Sequence, residues 1–261
     1  MFEKKRGNKR GQVTIFIIMG IVIVAFTILV YTFYPKIKTT LGVEESNPQS
    51  YFQLCMEEKF SETIAKISAQ GGSINPDLYS SYKEVKIGYL GYTGEYFSTS
   101  VVQIPMLMQH LKREIKEGLS KTAIECFNSL QESYVGKGYG VERQSGNERV
   151  NFFKNKIEVV YNYPFTFTKG EEVQRYDSFI IRLNNNLYEL ALIANDILYD
   201  ESTLGDSDIE EKMIYNPNIK VERILKESGD KVYIITDRKT EDEFWFAIRS
   251  QSWAGGILLD V

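Results

Sequence analysis

The chain has little of the chemistry on which most catalytic sites depend. Its 261 residues include one histidine and two cysteines. These three side chains cannot complete the four-ligand shell of a tetrahedral zinc site. The Gly-x-Ser-x-Gly, His-Glu-x-x-His, P-loop and dinucleotide-binding patterns do not occur either. The sequence therefore predicts a protein that is not an enzyme and that uses no cofactor or metal ion.

The lone histidine and one acidic run are the remaining candidates for chemistry. His110 lies between Leu107 and Leu111 without a serine or cysteine partner motif, so we expect a surface residue rather than a general base. The acidic run at 206–211 (DSDIEE) lacks the turning glycine of an EF-hand loop. A solvated loop that leads into a helix N-terminus, where carboxylates are favoured, is the interpretation we prefer to a calcium site.

Charge is distributed unevenly along the chain. Residues 1–34 hold five basic residues and one acidic residue, whereas the rest of the chain holds 26 basic and 34 acidic residues. Nucleic-acid binding needs clustered lysine and arginine against phosphate, and an acidic domain does not provide it. We therefore expect no nucleic-acid partner, and the basic N-terminus needs another explanation.

The basic N-terminus is followed by a long apolar run. Residues 15–34 form twenty uncharged residues, most of them Ile, Val, Phe or Leu. A helix of that length is about 30 Å long, which matches the hydrocarbon core of a bilayer. Basic residues on the preceding side favour a cytoplasmic N-terminus. We therefore expect a single-pass transmembrane helix over 13–35, with membrane lipid as a partner and an extracytoplasmic C-terminal part.

The junction before the apolar run carries a more specific pattern. The segment Arg10-Gly11-Gln12-Val13-Thr14 resembles the class III signal peptide of archaeal type IV pilin-like proteins. The resemblance covers about the first 34 residues. It implies that a prepilin peptidase cuts after Gly11, that Gln12 becomes the new N-terminus, and that pilus-type assembly proteins are partners. Phe16 stands where pilins usually have a glutamate that pairs with a neighbour's new amino group. An uncut signal anchor is the alternative interpretation.

Periodicity along the rest of the chain predicts two long helices followed by strands. Asn47-Pro48 is typical of a helix start and Gly71-Gly72 of a helix end. Pro105 precedes a second helix, which ends near Gly136. Apolar residues recur at helical spacing in both, namely Phe52, Met56, Phe60, Ile64 and Ile67 in the first and Leu107, Leu111, Ile115, Leu119, Cys126 and Leu130 in the second.

Strict alternation of apolar and polar residues begins near residue 157. It predicts one strand over 157–168, a second over 179–183, a hairpin of two strands around Gly229-Asp230, and a last strand over 243–249. Asn186 and Glu189 resemble a capping box at the start of a helix.

The predicted fold class is α+β: an N-terminal transmembrane helix, two long helices, and an antiparallel sheet with one packed helix. The predicted divisions are a basic leader at 1–12, the transmembrane helix at 13–35, a linker at 36–46, a helical half at 47–138 and a sheet half at 139–261.

The two cysteines form one even pair. Cys55 and Cys126 each lie on a predicted long helix, in a part of the chain that we expect outside the cytoplasm, where disulfides persist. A bridge between the helices is the preferred prediction, and two buried free thiols are the alternative.

Tyrosines concentrate between the two long helices. Tyr79, Tyr82, Tyr89, Tyr92 and Tyr96 are candidates for contact with a partner, because tyrosine supplies rigid, amphipathic area to interfaces. The alternative is that these rings pack on the local sheet and core.

These observations favour a membrane-anchored extracytoplasmic component of a surface or envelope assembly, or an adhesion component, without enzymatic activity. The alternative function is an uncut bitopic protein whose exported part binds a protein or small-molecule partner at the cell envelope. The sequence carries no motif that favours an extracytoplasmic enzyme.

The leader makes the first testable prediction. If the Gly11–Gln12 bond is cleaved, intact-mass spectrometry of the native protein gives a chain that begins at Gln12. A mature chain that begins at Met1 contradicts the resemblance to a class III signal peptide.

Overall fold

The structure is a computed structural model that describes residues 19–20, 23–24, 47–95 and 97–250. The chain divides into two compact units, Met1–Asn47 and Pro48–Val261. In the first unit, residues 19–20 and 23–24 have helical backbone. The leader junction at Gly11–Gln12 lies outside the described residues, so its cleavage stays a prediction.

The prediction of a transmembrane fold is corrected by the structure. Within the described ranges, no helix combines the length and the apolar composition that crossing a membrane requires. The two long helices are apolar along one stripe only, and charged residues occupy their other faces. The predicted fold class with its transmembrane helix, and the single-pass localisation that depends on it, are therefore not retained. Most of the predicted span at 13–35 lies outside the described residues.

Four helices occur in the described residues of the second unit: α1 Pro48–Ala69, α2 Leu107–Gly136, α3 Leu187–Thr203 and α4 Ile209–Tyr215. The apolar residues that predicted α1 and α2 are all buried in one core. Pro48 occupies the first position of α1, where its missing N–H needs no partner. Residues 71 and 72 end that helix with positive φ angles, which glycine adopts at little cost.

The same unit contains twelve strands in its described residues: β1 Tyr79–Tyr82, β2 Val85–Tyr92, β3 Val101–Val102, β4 Gly140–Arg143, β5 Asn147–Phe153, β6 Lys156–Asn162, β7 Phe165–Lys169, β8 Glu172–Tyr176, β9 Phe179–Leu183, β10 Ile219–Leu225, β11 Asp230–Asp237 and β12 Glu243–Arg249. They form a six-stranded sheet in the order β1-β2-β12-β11-β10, with β3 beside β2, and two three-stranded sheets, β4-β7-β8 and β5-β6-β9.

The six-stranded sheet is mixed rather than antiparallel. β12 pairs in parallel with β2, with Ala247 opposite Tyr89, while β10, β11 and β12 pair antiparallel as the sequence predicts. The strands β1 to β3 come from the predicted helical half, and β10 to β12 come from the predicted sheet half. Both halves therefore contribute to one sheet.

The single strand predicted over 157–168 is two strands in different sheets. β6 ends at Asn162 and β7 begins at Phe165, so the break falls at Tyr163-Pro164. Proline has no backbone N–H to donate to a ladder, which explains the interruption. The alternation continues across the break, and Tyr161, Phe165 and Phe167 are all buried in the same core.

The helix pair α1–α2 carries the predicted disulfide, between Cys55 and Cys126. Beside it, the rings of Phe52 and Phe127 stack with their centroids 4.2 Å apart. Phe127 also packs against Phe165 and Phe179, which come from two different small sheets. The disulfide therefore joins the two helices to each other, and the aromatic cluster joins this helix pair to both small sheets.

Removal of the disulfide makes the second testable prediction. The double substitution Cys55→Ala and Cys126→Ala is expected to lower the free energy of unfolding by about 2–5 kcal/mol. Without the bridge, the unfolded chain no longer contains a long closed loop, and its conformational entropy is higher. Denaturant unfolding under reducing and non-reducing conditions measures this difference. The double variant should show no difference between the two conditions, and wild-type stability in that variant would contradict the structural role of the bridge.

Candidate functional site

A hairpin of two strands, β1 and β2, turns at Lys83 and Glu84. We call residues 79–88 the tyrosine hairpin. Both turn residues have positive φ, 47° at Lys83 and 66° at Glu84. Two-residue hairpin turns of this kind usually contain Asn-Gly, because a Cβ clashes in the left-handed region. Lysine and glutamate each carry a cost of about 1–2 kcal/mol there, so the tip of the hairpin is strained.

Two of the predicted contact tyrosines lie in β1. Tyr79 is 39% exposed, and the Lys86 ammonium lies 4.7 Å from its ring centroid. Tyr82 is half-buried: its ring meets the edge of Trp245, and the Lys83 ammonium lies 5.2 Å from its centroid. Each ring therefore carries a lysine over its face, which is a favourable cation–π arrangement.

The other predicted contact tyrosines are less accessible. Tyr89 is buried, and burial, followed by its hydrogen bond to Asp230, raises the pKa of its hydroxyl well above the ordinary value. Tyr92 is half-buried, with its ring 5.1 Å from that of Tyr89 and beneath the Arg249 guanidinium. Tyr96 lies outside the described residues. Of the described tyrosines in this region, Tyr79 is exposed, Tyr82 and Tyr92 are half-buried, and Tyr89 is buried.

A polar cluster holds the hairpin against the β10–β11 turn. The Ser80 hydroxyl donates to Asp230 at 3.0 Å, and the Lys226 ammonium donates to the Ser80 hydroxyl and the Ser81 carbonyl at 2.9 and 2.8 Å. Burial alone would raise the pKa of Asp230, but hydrogen bonds, the largest from Ser228, outweigh burial and hold that pKa below its usual value. The base of the hairpin is therefore fixed, while its tip is exposed.

The entry into the hairpin is also fixed, through a close backbone approach. The Gly71 N–H donates to the Trp245 carbonyl at 2.9 Å, and the Gly88 N–H donates to the Gln70 carbonyl at 3.2 Å. A Cβ on Gly71 would lie 2.6 Å from the Gly88 carbonyl oxygen, so no larger residue fits. The end of α1 is thereby tied to both β2 and β12.

A second site surrounds His110, at a cavity of about 650 Å³ between α2 and the segment before β1. The His110 side chain is only 14% exposed, so the prediction of a surface residue is wrong. Its Nε2 lies 2.7 Å from the Ser73 hydroxyl, and its Nδ1 lies 2.7 Å from an Arg113 guanidinium nitrogen. No sequence signal indicates this contact, because Ser73 and His110 belong to no local motif.

The geometry around His110 does not suit a general base. Arginine nitrogens only donate, so the Nδ1 lone pair accepts from Arg113 and the ring proton lies on Nε2. That proton is donated to the Ser73 hydroxyl, and His110 therefore has no lone pair directed at Ser73. Burial lowers the pKa of His110; Glu114 opposes this effect, and the Arg113 charge adds to it.

Carboxylates of the acidic run 206–211 form hydrogen bonds and ion pairs with other residues of the chain. The Asp208 side chain caps α4 by accepting from the backbone N–H groups of residues 210 and 211, as a helix N-terminus favours. Asp206 accepts from Arg223 at 2.6 Å and from Lys231 at 2.8 Å. No group of three or more His, Cys, Asp or Glu side chains is placed to hold a metal ion in the part of the chain that the structure describes.

Lys231 also forms a buried ion pair that the sequence did not indicate. Its ammonium lies 2.8 Å from both carboxylate oxygens of Glu201, a residue with no exposed surface, and the Tyr233 hydroxyl donates to the same carboxylate. Burial raises the pKa of Glu201, and the hydrogen bonds from Lys231 and Tyr233 offset only part of that effect. The pair joins α3 to β11 and lies outside the lining of the cavity at His110.

Comparison with known proteins found no match to this chain among family models, curated proteins or solved structures. The function must therefore be argued from the geometry of this chain alone.

The strained turn makes the third testable prediction. Replacing Lys83 by asparagine and Glu84 by glycine is expected to raise the free energy of unfolding by about 1–2 kcal/mol, because both new residues tolerate positive φ. Denaturant unfolding measures the change. The matched control is Asn155→Gly, at a φ of 57° that asparagine already tolerates, and it should change stability by only a few tenths of a kcal/mol. An equal change in the free energy of unfolding in the K83N/E84G and Asn155→Gly variants would contradict strain at the hairpin tip.

Proposed function

We propose that this protein is a non-enzymatic assembly or adhesion component that binds another protein through the tyrosine hairpin. The observation that carries the proposal is a hairpin that combines the strained Lys83-Glu84 turn with two tyrosines, Tyr79 and Tyr82, each of which has a lysine ammonium over its ring. Strain of this kind persists where the surrounding structure holds it, and it concentrates at functional positions.

The hairpin carries surface that suits protein recognition. Tyr82 lies next to the charges of the turn, and Leu78 and Tyr79 add exposed apolar and amphipathic area near the base of the hairpin. Tyrosine loses little conformational entropy on binding, and a ring already held under a lysine loses less. The polar cluster at Asp230 fixes the base of the hairpin, so the tip is presented in one orientation.

The His110 geometry supports the non-enzymatic part of the proposal. Ser73 supplies the hydroxyl that contacts His110, and His110 donates to this hydroxyl rather than accepting its proton. An acyl-transfer dyad needs the opposite arrangement.

The pilin-like leader enters this proposal as a second, independent element. Prepilin peptidase and pilus-type assembly proteins are the partners that the leader resemblance implies. The leader is outside the described residues, and only the N-terminal mass measurement bears on it.

Site-specific photocrosslinking tests the hairpin as a binding surface and makes the fourth prediction. A benzoylphenylalanine at position 79 of the full chain, irradiated in cells that produce the protein, is expected to form a discrete adduct of higher mass. Position 199 is the matched control, because Tyr199 is 66% exposed and lies on α3. The partner in the adduct is then identified by mass spectrometry and purified.

Binding of the purified partner separates recognition from stability. Tyr79→Ala is expected to weaken binding by about 30-fold, the loss typical of an aromatic hot spot, whereas Tyr199→Ala leaves it unchanged. The double variant K83N/E84G should bind more weakly although it unfolds at higher denaturant. Adducts that form equally at positions 79 and 199, or unchanged affinity in both hairpin variants, would refute the hairpin as the binding surface.

A further inference from the structure

A cavity of about 490 Å³ lies between α2 and the turn that joins β4 to β5. A volume of this size suits a small organic ligand. The turn at 144–146 and residues of β5 and β6 form one wall of the cavity. One face of α2 forms the other wall, through residues at helical spacing, namely Lys116, Ser120, Ala123, Ile124 and Phe127.

The turn at 144–146 is held against the end of β6. The Gln144 N–H donates to the Pro164 carbonyl at 2.9 Å. A Cβ on Gly146 would collide with the Asn162 carbonyl, so no residue larger than glycine fits there. These contacts are made by the backbone of the chain itself, and they fix this wall of the cavity independently of any ligand.

Tyr161 brings a hydroxyl without a partner to this cavity. It lines the cavity and is only 3% exposed, because its ring packs against those of Phe52 and Phe127. In the residues that the structure describes, its hydroxyl makes no hydrogen bond, and it is not one of the fully enclosed polar atoms that lack a partner. The hydroxyl therefore keeps accessible surface at the cavity. Burial, followed by the charge of Glu148, raises the pKa of Tyr161 well above its ordinary value, so the hydroxyl keeps its proton and can donate it.

The charges of the lining favour an anion. Lys116 is half-buried, and within the described ranges its ammonium has no ion pair or hydrogen bond. The Arg143 guanidinium donates to the Asn128 side chain on α2 at 3.1 Å, which leaves most of its N–H groups for other acceptors. Of the described residues that line the cavity, only Glu148 has a carboxylate, which accepts from the Tyr163 hydroxyl at 3.4 Å. Two cations against one carboxylate give the lining a net positive charge.

We propose that this cavity binds a small aromatic carboxylate, with the Tyr161 hydroxyl as a donor to the carboxylate. Lys116 and Arg143 supply the positive charge that strengthens such a hydrogen bond. Phe127 and Tyr163 supply aromatic surface against which the ring of the ligand packs, and an inorganic anion makes no use of that surface. The cavity shares no residue with the tyrosine hairpin, so this proposal is independent of the function proposed above.

Amide chemical shifts of the isotope-labelled full chain test this proposal, with 3-phenylpropionate as the probe. We expect saturable shifts at 120–127 and at 144–148, with a dissociation constant on the order of 1 mM for so small a ligand. The uncharged 3-phenylpropionamide has the same ring and should bind about 10-fold more weakly, because its amide is a weaker acceptor than a carboxylate. Phenethylamine carries the opposite charge and should produce no saturable shift at these positions.

Three variants test the role of individual side chains. Y161F removes only the hydroxyl and keeps the buried ring, and it should weaken 3-phenylpropionate binding about 10-fold or more, as expected for a hydrogen bond to a charged group. Y199F is the matched control and should bind as the wild type does, because Tyr199 is exposed on α3 and does not line the cavity. E148Q removes the like charge and should tighten binding about threefold. Thermal midpoints confirm that all three variants are folded.

A peptide separates the two sources of an aromatic carboxylate. If acetyl-Gly-Phe with a free C-terminus binds more tightly than 3-phenylpropionate, the ligand is the C-terminal residue of a peptide or protein, and equal or weaker binding indicates a free aromatic acid. No saturable shift at the cavity, equal binding of the carboxylate and the amide probes, or unchanged binding in Y161F would overturn the proposal and leave water as the partner of the Tyr161 hydroxyl.

Discussion

Packing of α1 against α2 is the interaction on which the rest of the second unit depends. The two helices meet through the stacked rings of Phe52 and Phe127, next to the disulfide. The exterior faces of the pair receive different partners: α1 contacts β9 and β12, whereas α2 contacts β4 and β5. Each of the three sheets is thus seated on at least one of the two helices. A small sheet needs a covered apolar face for stability, and for the two three-stranded sheets this helix pair provides part of that cover.

The tyrosine hairpin is held in place by contacts with the rest of the second unit. Its base is tied at one side by the close approach of Gly71 to Gly88, and at the other by the hydrogen bonds of Ser80 and Lys226 around Asp230. The end of the two strands packs on a second, smaller apolar cluster, formed by Ile87, Tyr89, Val232, Ile234 and Ala247. The favourable free energy of these contacts holds the two turn residues in a conformation that they would not adopt in isolation.

Local patterns predicted the elements of this fold better than their arrangement. The stripes of α1 and α2 and the alternation of β9, β11 and β12 are properties of neighbouring residues, and each of these elements lies where the sequence places it. The break at Pro164 was also visible as a residue type, but the alternation of buried rings runs across it and conceals it. The transmembrane prediction rested on hydropathy alone, and the structure did not support it in the residues that it describes.

The site depends on contacts that no local pattern contains. Ser73 meets His110 because the end of α1 passes over the first turns of α2, and Asp230 meets Ser80 across 150 positions. At Asn186 the local signature was present as a residue pattern, yet a carboxylate 56 positions away displaced it. Sequence spacing could not separate the exposed or half-buried tyrosines of β1 from the buried Tyr89.

The parallel pairing of β2 with β12 has a consequence for the order of events during synthesis. β12 lies in the centre of the six-stranded sheet, between β2 and β11, although it is the last strand in the described residues. At a synthesis rate of about 5–20 residues per second, β2 is synthesised roughly 8–30 seconds before its partner strand β12. During that interval one edge of β2 stays without hydrogen bonds, and such an edge invites pairing with other chains. This edge is therefore protected from such pairing only if β12 docks on β2 rapidly once it is synthesised, or if a chaperone covers the edge until then.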